Sequence, residues 1–312
     1  MTHKDFDFDA ELDACPACGG KVLRPAPVSL DDDWSLAGFK ASKCVSCRTV
    51  FFNPRPLTKA LGAFYAAIDK GDPRGFIEAS LRYYRDPARA AARRREYLAP
   101  LLRRRASGAL LDFGCGAGWF AKMAEDAGFE AHGLEQMPEA AAAAREELGL
   151  VNVRTGGEGE LPAEPTYDVI VANNVIEHML DPADFAGKCF AALKPGGLLM
   201  YNFPCADSYM FEALGAHNYY YMAPYHLTHF TREGMSRMLS ALGYENIAYE
   251  SQPEAYYWGK SLAHKLGLTD KYKKWRNDPD FVKFDIAMDE LLAAVTQRYD
   301  VSLNSLVFAE KV

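Results

Sequence analysis

The stretch Leu110-Leu111-Asp112-Phe113-Gly114-Cys115-Gly116-Ala117-Gly118-Trp119-Phe120 decides how the chain reads. An apolar run enters an acid, and glycines then fall at every second position. A buried strand needs this pattern when it must turn sharply and bring its backbone against a ligand. Gly114, Gly116 and Gly118 lack Cβ, so the turn can use unusual φ/ψ and expose main-chain N–H groups. The spacing is G-x-G-x-G. Trp119 breaks the G-x-G-x-x-G of dinucleotide-binding turns.

Working outward, strands alternate with helices from residue 108 onward, as in a parallel sheet covered on both faces. The spacing predicts strands over 109–113, 130–134, 151–154, 168–172, 197–203 and 245–250, with a last one at Ser305-Leu306-Val307-Phe308-Ala309. Helices are predicted over 118–127, 138–148, 182–193 and 231–242. Asp181-Pro182 starts one of them, Lys194-Pro195-Gly196-Gly197 stops it, and Thr231 reads as the N-cap of the last. Residues 253–300 are helix-prone and rich in Tyr, Trp and Lys. Upstream, Asn53-Pro54-Arg55-Pro56 reads as a linker. A helix is expected to start at Pro87, capped by Asp86, and to run to about Arg105.

Hydrophobic residues at 49% and charged residues at 25% match an ordinary globular protein. No apolar run reaches the length of about 20 residues that a bilayer demands. The acidic N-terminus, Met1 to Asp7, has no apolar secretory core, so the cytoplasm is the expected location. A net charge of −7 disfavours a general nucleic-acid role. That charge is uneven: residues 81–105 hold nine arginines against Asp86 and Glu96, a local +7. Such a segment is a solvated helix face or a surface for an anionic partner.

Of the seven cysteines, Cys15, Cys18, Cys44 and Cys47 form two C-x-x-C knuckles 25 residues apart. Two knuckles can bring four thiolates together tetrahedrally, which suits a closed, structural Zn²⁺ site. An iron–sulfur centre or a redox dithiol are the alternatives. Cys115, Cys189 and Cys205 read as small buried hydrophobes.

The glycine turn resembles motif I of the class I S-adenosylmethionine (SAM)-dependent methyltransferases, and later segments are similar to theirs at matching positions. Glu135 closes the second strand 23 residues after Asp112, where an acid accepts hydrogen bonds from ribose hydroxyls. Gly156-Gly157-Glu158-Gly159-Glu160 is similar to the family's adenine-contacting acidic loop, with Glu158 as first choice and Glu160 beside it. Asn173-Asn174-Val175-Ile176-Glu177-His178 resembles the V-[LI]-E-H signature of small-molecule methyltransferases. Within it, Glu177 and His178 either serve chemistry or bond within the loop. The resemblance implies SAM held by Asp112, Gly114, Gly116, Gly118, Glu135, Gln136, Glu158 and Asn174.

Tyr225-His226-Leu227-Thr228-His229-Phe230-Thr231 resembles an H-L-x-[HY]-F-[ST] element of zinc-ribbon methyltransferases, including sugar C-methyltransferases. There a histidine serves as general base, and it maps onto His226, with His178 and His229 next. Imidazole suits the task because its ordinary pKa lies near neutrality. Tyr225 stands where the sugar enzymes carry a glutamate. The long loop 204–230, with Tyr209, Tyr219, Tyr220, Tyr221 and Tyr225, is either a substrate lid or ordinary aromatic packing. The implied architecture is α/β: a zinc ribbon over 1–52, a helical adaptor over 53–107, and a Rossmann-like seven-stranded methyltransferase sheet over 108–312 with a helical insert at 253–300. The implied activity is methyl transfer to an O, N or C atom of a small molecule. A protein or RNA methyltransferase recruited through the ribbon, or a non-catalytic SAM-binding regulator, are the rival readings.

Overall fold

The structure, a computed structural model, describes residues 6–28, 38–69, 72–252, 255–276 and 304–312, with isolated positions within 281–295. The acidic residues 1–5, residues 29–37 between the knuckles, and most of the second half of the 253–300 insert lie outside the described residues.

Three short strands come first: β1 (Leu23–Ala26), β2 (Ala41–Cys44) and β3 (Val50–Phe52). Helices α1 (Thr58–Asp69), α2 (Pro73–Arg85), α3 (Pro87–Arg93) and α4 (Ala99–Leu102) follow. Asp72 caps α2 through Gly75 N, and Asp86 caps α3 through Ala88 N and Arg89 N, each ahead of a first-turn proline. The helix from Pro87 was expected to run unbroken to about Arg105. Instead it passes through a π turn at Arg94–Leu98 and ends at Leu102. Pro100 has no N–H for the Glu96 carbonyl, and that carbonyl accepts from Gln252 Nε2 at 2.8 Å instead.

The main body comprises β4 (Gly108–Phe113), α5 (Trp119–Asp126), β5 (Phe129–Glu135), α6 (Pro138–Leu148), β6 (Val153–Thr155), β7 (Tyr167–Asn173), α7 (Pro182–Ala192) and β8 (Leu193–Pro204). It continues with α8 (Tyr209–Leu214), β9 (Thr228–His229), α9 (Arg232–Ala241), β10 (Tyr244–Gln252), α10 (Ala255–Lys265), α11 (Thr269–Arg276) and β11 (Asn304–Lys311). The third strand begins at Val153, not 151, because α6 ends in a left-handed turn. Gly149 (φ 73°) donates to Arg145 O, and Leu150 donates to Ala144 O. This puts Leu150 in the core and Val151 in solvent.

The seven-stranded sheet has the order β10-β11-β8-β7-β4-β5-β6. Strands β4 to β8 pair in parallel, and β11 enters antiparallel between β8 and β10. From β4 the chain builds outward through β5 and β6, then returns to place β7 on the other side of β4. The carboxyl ends of β4 and β7 therefore flank the switch point, where open α/β sheets bind ligands.

The second sheet has the order β1-β2-β3-β9, so a strand from the 204–230 loop completes the cysteine-bearing N-terminal sheet. Val50 pairs with His229 and Phe51 with Thr228. Cys15, Cys44, Cys47 and Phe51 pack in one buried cluster with Leu111, Phe113 and Phe203 of the large sheet and with Phe230, which follows β9. The segment Asn53–Pro56, expected as a linker, is instead held in place. Asn53 and Arg55 are buried, and Asn53 bonds the main chain of Leu12 on both sides.

Candidate functional site

Gly114, Gly116 and Gly118 have φ of 71°, 55° and 82°, the left-handed region that disfavours any side chain. Space is equally restrictive: a Cβ on Gly118 would lie 2.5 Å from Leu150 Cδ1, and one on Gly114 2.8 Å from Val175 Cγ2. Below the turn Asp112 accepts from Ala121 N at 3.2 Å, tying the strand end to the first turn of α5. Burial raises its pKa to about 8. Above the turn lie residues that no sequence signal marked. Ser80 Oγ accepts from Ala117 N at 3.3 Å, and a Cβ on Gly116 would meet Ser80 Oγ and the Phe76 ring. Helix α2 thus roofs the glycine turn.

Glu135 accepts from Gly116 N and from Met137 N, both at 2.8 Å, so its carboxylate is fixed at the lip of the turn. The acidic loop lies alongside: Gly156 N donates to Glu135 O at 2.9 Å, and a Cβ on Gly157 would sit 2.9 Å from Gln136 Nε2. Glu158 is half-buried and pairs with Lys188 at 3.6 Å, whereas Glu160 is exposed with its chain against Gly156. The turn, Glu135, Gln136 and the acidic loop therefore form one continuous cradle. Asn174 (φ 53°) opens the segment after β7, and the buried side-chain amide of Asn173 beside it has no hydrogen-bond partner among the described residues.

Beyond that segment three histidines come together. The rings of His178 and His226 have centroids 4.8 Å apart, and those of His226 and His229 6.1 Å apart. His178 Nδ1 lies 2.7 Å from Tyr225 O and 3.4 Å from Tyr65 Oη, and His226 Nδ1 lies 2.8 Å from Tyr220 O. The imidazoles were expected near their ordinary pKa. Burial instead lowers His178 to about 4, His229 to about 3 and His226 well below its ordinary value. All three are neutral at pH 7. Glu177 is fully buried beside them with neither carboxylate oxygen hydrogen-bonded among the described residues, and burial raises its pKa to about 8.

The N-terminal sheet holds this loop. Leu227 N donates to Glu177 O at 2.7 Å, and Phe52 N donates to Leu227 O at 3.0 Å. Arg55, in a segment whose sequence reads as a linker, donates to Met179 O at 2.8 Å, to Leu180 O, and to Thr228 Oγ1 at 2.5 Å. It bolts the two loops of the cluster together. Of the loop tyrosines, Tyr219, Tyr220 and Tyr221 are buried, Tyr220 and Tyr221 against Phe211 and Tyr219 under the Lys260 ammonium, while Tyr209 is exposed.

Cys15, Cys18, Cys44 and Cys47 offer sulfurs that all lie within 4.8 Å of one another. Cys15–Cys47 and Cys18–Cys44 are 3.7 and 3.6 Å apart. A tetrahedral Zn–S distance of about 2.3 Å implies sulfurs about 3.8 Å apart, so the quartet fits. A hydrogen bond from Cys15 holds the Cys47 thiol below its ordinary pKa, which favours the thiolate form within the cluster.

A switch point roofed by a helix, in a seven-stranded sheet with an antiparallel strand at the second position, defines the Rossmann-like methyltransferase class of fold. The chain belongs to the family described as methyltransferase domain, whose profile matches residues 81–249, more than half of the 312. It is similar to a probable S-adenosylmethionine-dependent methyltransferase of Mycolicibacterium smegmatis, 35% identical over 114 residues, 36% of this chain and 44% of that one. It is also similar to a ubiquinone biosynthesis O-methyltransferase of Bradyrhizobium sp., 34% identical over 124 residues, 38% of this chain and 48% of that one. The chain spans about half the length of the curated relatives it matches. In fold it is similar to the phosphoethanolamine N-methyltransferase 2 of Haemonchus contortus, solved with S-adenosyl-L-methionine. That match has a TM-score of 0.51 at 18% identity, over 84% of this chain and 63% of that one. Among the described residues no helix is long and apolar enough to cross a membrane.

Proposed function

We propose that this chain transfers a methyl group from SAM to a small molecule such as a sugar, a polysaccharide precursor or a natural-product intermediate. Oxygen is favoured over nitrogen or carbon as the acceptor atom, because several relatives carry O-methyltransferase names. The observation that carries the reading is the cradle. The three Cβ-free positions give a ligand access to main-chain N–H groups, and Glu135 stands where two ribose hydroxyls can be accepted. SAM supplies an electrophilic methyl on a sulfonium. The chain's part is to align the acceptor and handle its proton. His226, with His178 and His229 behind it, is the acceptor-handling group, since its Nδ1 is pinned to Tyr220 O and its Nε2 makes no hydrogen bond among the described residues. The four cysteines hold a structural Zn²⁺, and with no open ligand position it takes no part in the reaction.

Calorimetry with S-adenosylhomocysteine tests the reading. The unaltered chain should bind it, and Glu135→Ala and Glu135→Gln should lose roughly 10- to 150-fold in affinity, the worth of a hydrogen-bonded charge. Equal affinity in all three proteins, or no binding by the unaltered chain, would overturn it.

A further inference from the structure

We infer that α10, the turn after it and α11 form a docking surface for a bilayer that carries anionic headgroups, on which the chain rests without crossing. Leu262 and Leu266 stand one helical turn apart, Lys265 lies beside them on the same face, and all three are exposed. Gly267 (φ 68°) ends the helix, with Leu268 N donating back to Ala263 O at 2.8 Å, and the Leu268 side chain is also left outside. In α11 the i, i+3 and i+4 positions Lys271, Lys274 and Trp275 share an exposed face. Tyr272 is turned toward α10 instead, where a Cβ on Gly259 would lie 2.8 Å from its hydroxyl oxygen. Leu266 keeps 61% of its surface in water and Trp275 39%. Four large apolar side chains gathered on one exposed stretch mark a contact surface.

Charge selects the occupant. The α11 sequence holds four basic residues against the single acid Asp270, in a chain whose net charge is −7. Lys265 Nζ donates to Ala213 O at 2.8 Å, so α11 supplies most of the charge. A second copy docking by the same face would set lysines against lysines, and a nucleic acid would leave the leucines unused. An anionic bilayer surface takes both kinds of side chain: ammonium groups among the phosphates, leucine and tryptophan at the headgroup–acyl boundary. The other side of α10 is fixed within the molecule. Ser261 Oγ accepts from Tyr219 N at 2.9 Å, and the Lys260 ammonium stands 3.3 Å from the centre of the Tyr219 ring. One helix thus carries bilayer-facing residues on one side and holds the loop of His226 on the other. The docking surface stands independently of the methyl-transfer reading.

The test is flotation of the purified full-length chain with vesicles of phosphatidylcholine alone and of equal parts phosphatidylcholine and phosphatidylglycerol. The chain should float with the anionic vesicles, float little with the neutral ones, and be released by added NaCl. Trp275 emission should shift to the blue on binding and be quenched by brominated acyl chains, and Trp275→Phe should remove that part of the quenching. Leu262→Ser with Leu266→Ser, and separately Lys271→Gln with Lys274→Gln, should each weaken binding at least about 10-fold. Val151→Ser, which removes an exposed apolar side chain elsewhere, should not. Thermal unfolding of each variant is measured alongside, and Leu266→Ser alone is read in place of the leucine pair if the pair melts early. No flotation with anionic vesicles, or equal flotation by the variants, rules the surface out. So does a dimer in size-exclusion chromatography that Leu262→Ser with Leu266→Ser dissolves, which gives the face to a second copy of the chain.

Discussion

Burial without a charged partner sets the protonation of His178, His226 and His229, and this gives the site a pH signature. An unfolded histidine gains a proton below about 6.5, whereas native His178 refuses it until about pH 4, His229 until about pH 3, and His226 until well below the ordinary value. The unfolded chain therefore binds more protons in that window, and stability is lost as pH falls through it. Glu177 and Asp112 have the opposite sign. Their carboxyls keep a proton to about pH 8, so their contribution is complete in acid and fades as pH rises through that value. His229→Phe keeps a ring beside Tyr221 and Phe52 and removes one titrating group. Between pH 7 and 5, urea unfolding should show the variant losing about 2 kcal/mol less than the unaltered chain. Parallel profiles would refute the assignment.

At the scale of elements, the N-terminus of α9 joins the two sheets. Thr231 Oγ1 accepts from Gly234 N at 2.9 Å and donates to Cys47 O at 2.6 Å, so one hydroxyl caps a helix and secures a cysteine knuckle. Thr231→Val keeps the shape and removes both bonds. It should cost about 1–2 kcal/mol in denaturant unfolding, and Thr231→Ser should recover most of that. The arginines of the basic segment over 81–105 are largely engaged within the chain. Arg85 pairs with Glu147, Arg93 with Glu96, Arg94 with Asp126, and Arg103 and Arg104 with Glu250. Arg105 donates to Gly196 O. Most of that positive charge is directed at the molecule's own acids and carbonyls. Apart from Glu96, which lies in the same helical run, the partners come from α5, α6, β8 and β10, at distances along the chain that a charge count cannot anticipate.

Across the whole molecule the cysteine module and the large sheet share one interior. Cys15, Cys44 and Cys47 belong to the same buried cluster as Ile170, Leu199 and Tyr201 of the central strands. Metal loss should therefore reach beyond the module. Cys44→Ser should release zinc in elemental analysis and lower the melting temperature of the entire chain in a single transition, because metal-coupled folding energy is lost from a shared core. A separate early transition, with the main one unmoved, would show the two parts to be independent.

Much of the fold was legible because its signals are local. The G-x-G-x-G turn, the Asp181-Pro182 and Asp86-Pro87 helix starts, and the two cysteine knuckles each combine backbone chemistry with a short spacing, and each falls where expected. The final antiparallel strand is likewise where the pattern put it. Contacts between distant segments could not be read in the same way. Ser80 over the glycine turn, Arg55 between two loops, β9 completing the N-terminal sheet, and Glu177 meeting His226 all join residues tens to more than a hundred positions apart. The histidine pKa values went the same way, because desolvation is a property of what packs around a ring. Residue type and local spacing set the elements and the cradle. Packing alone decided which polar groups were left without water, and so which of them have chemistry to do.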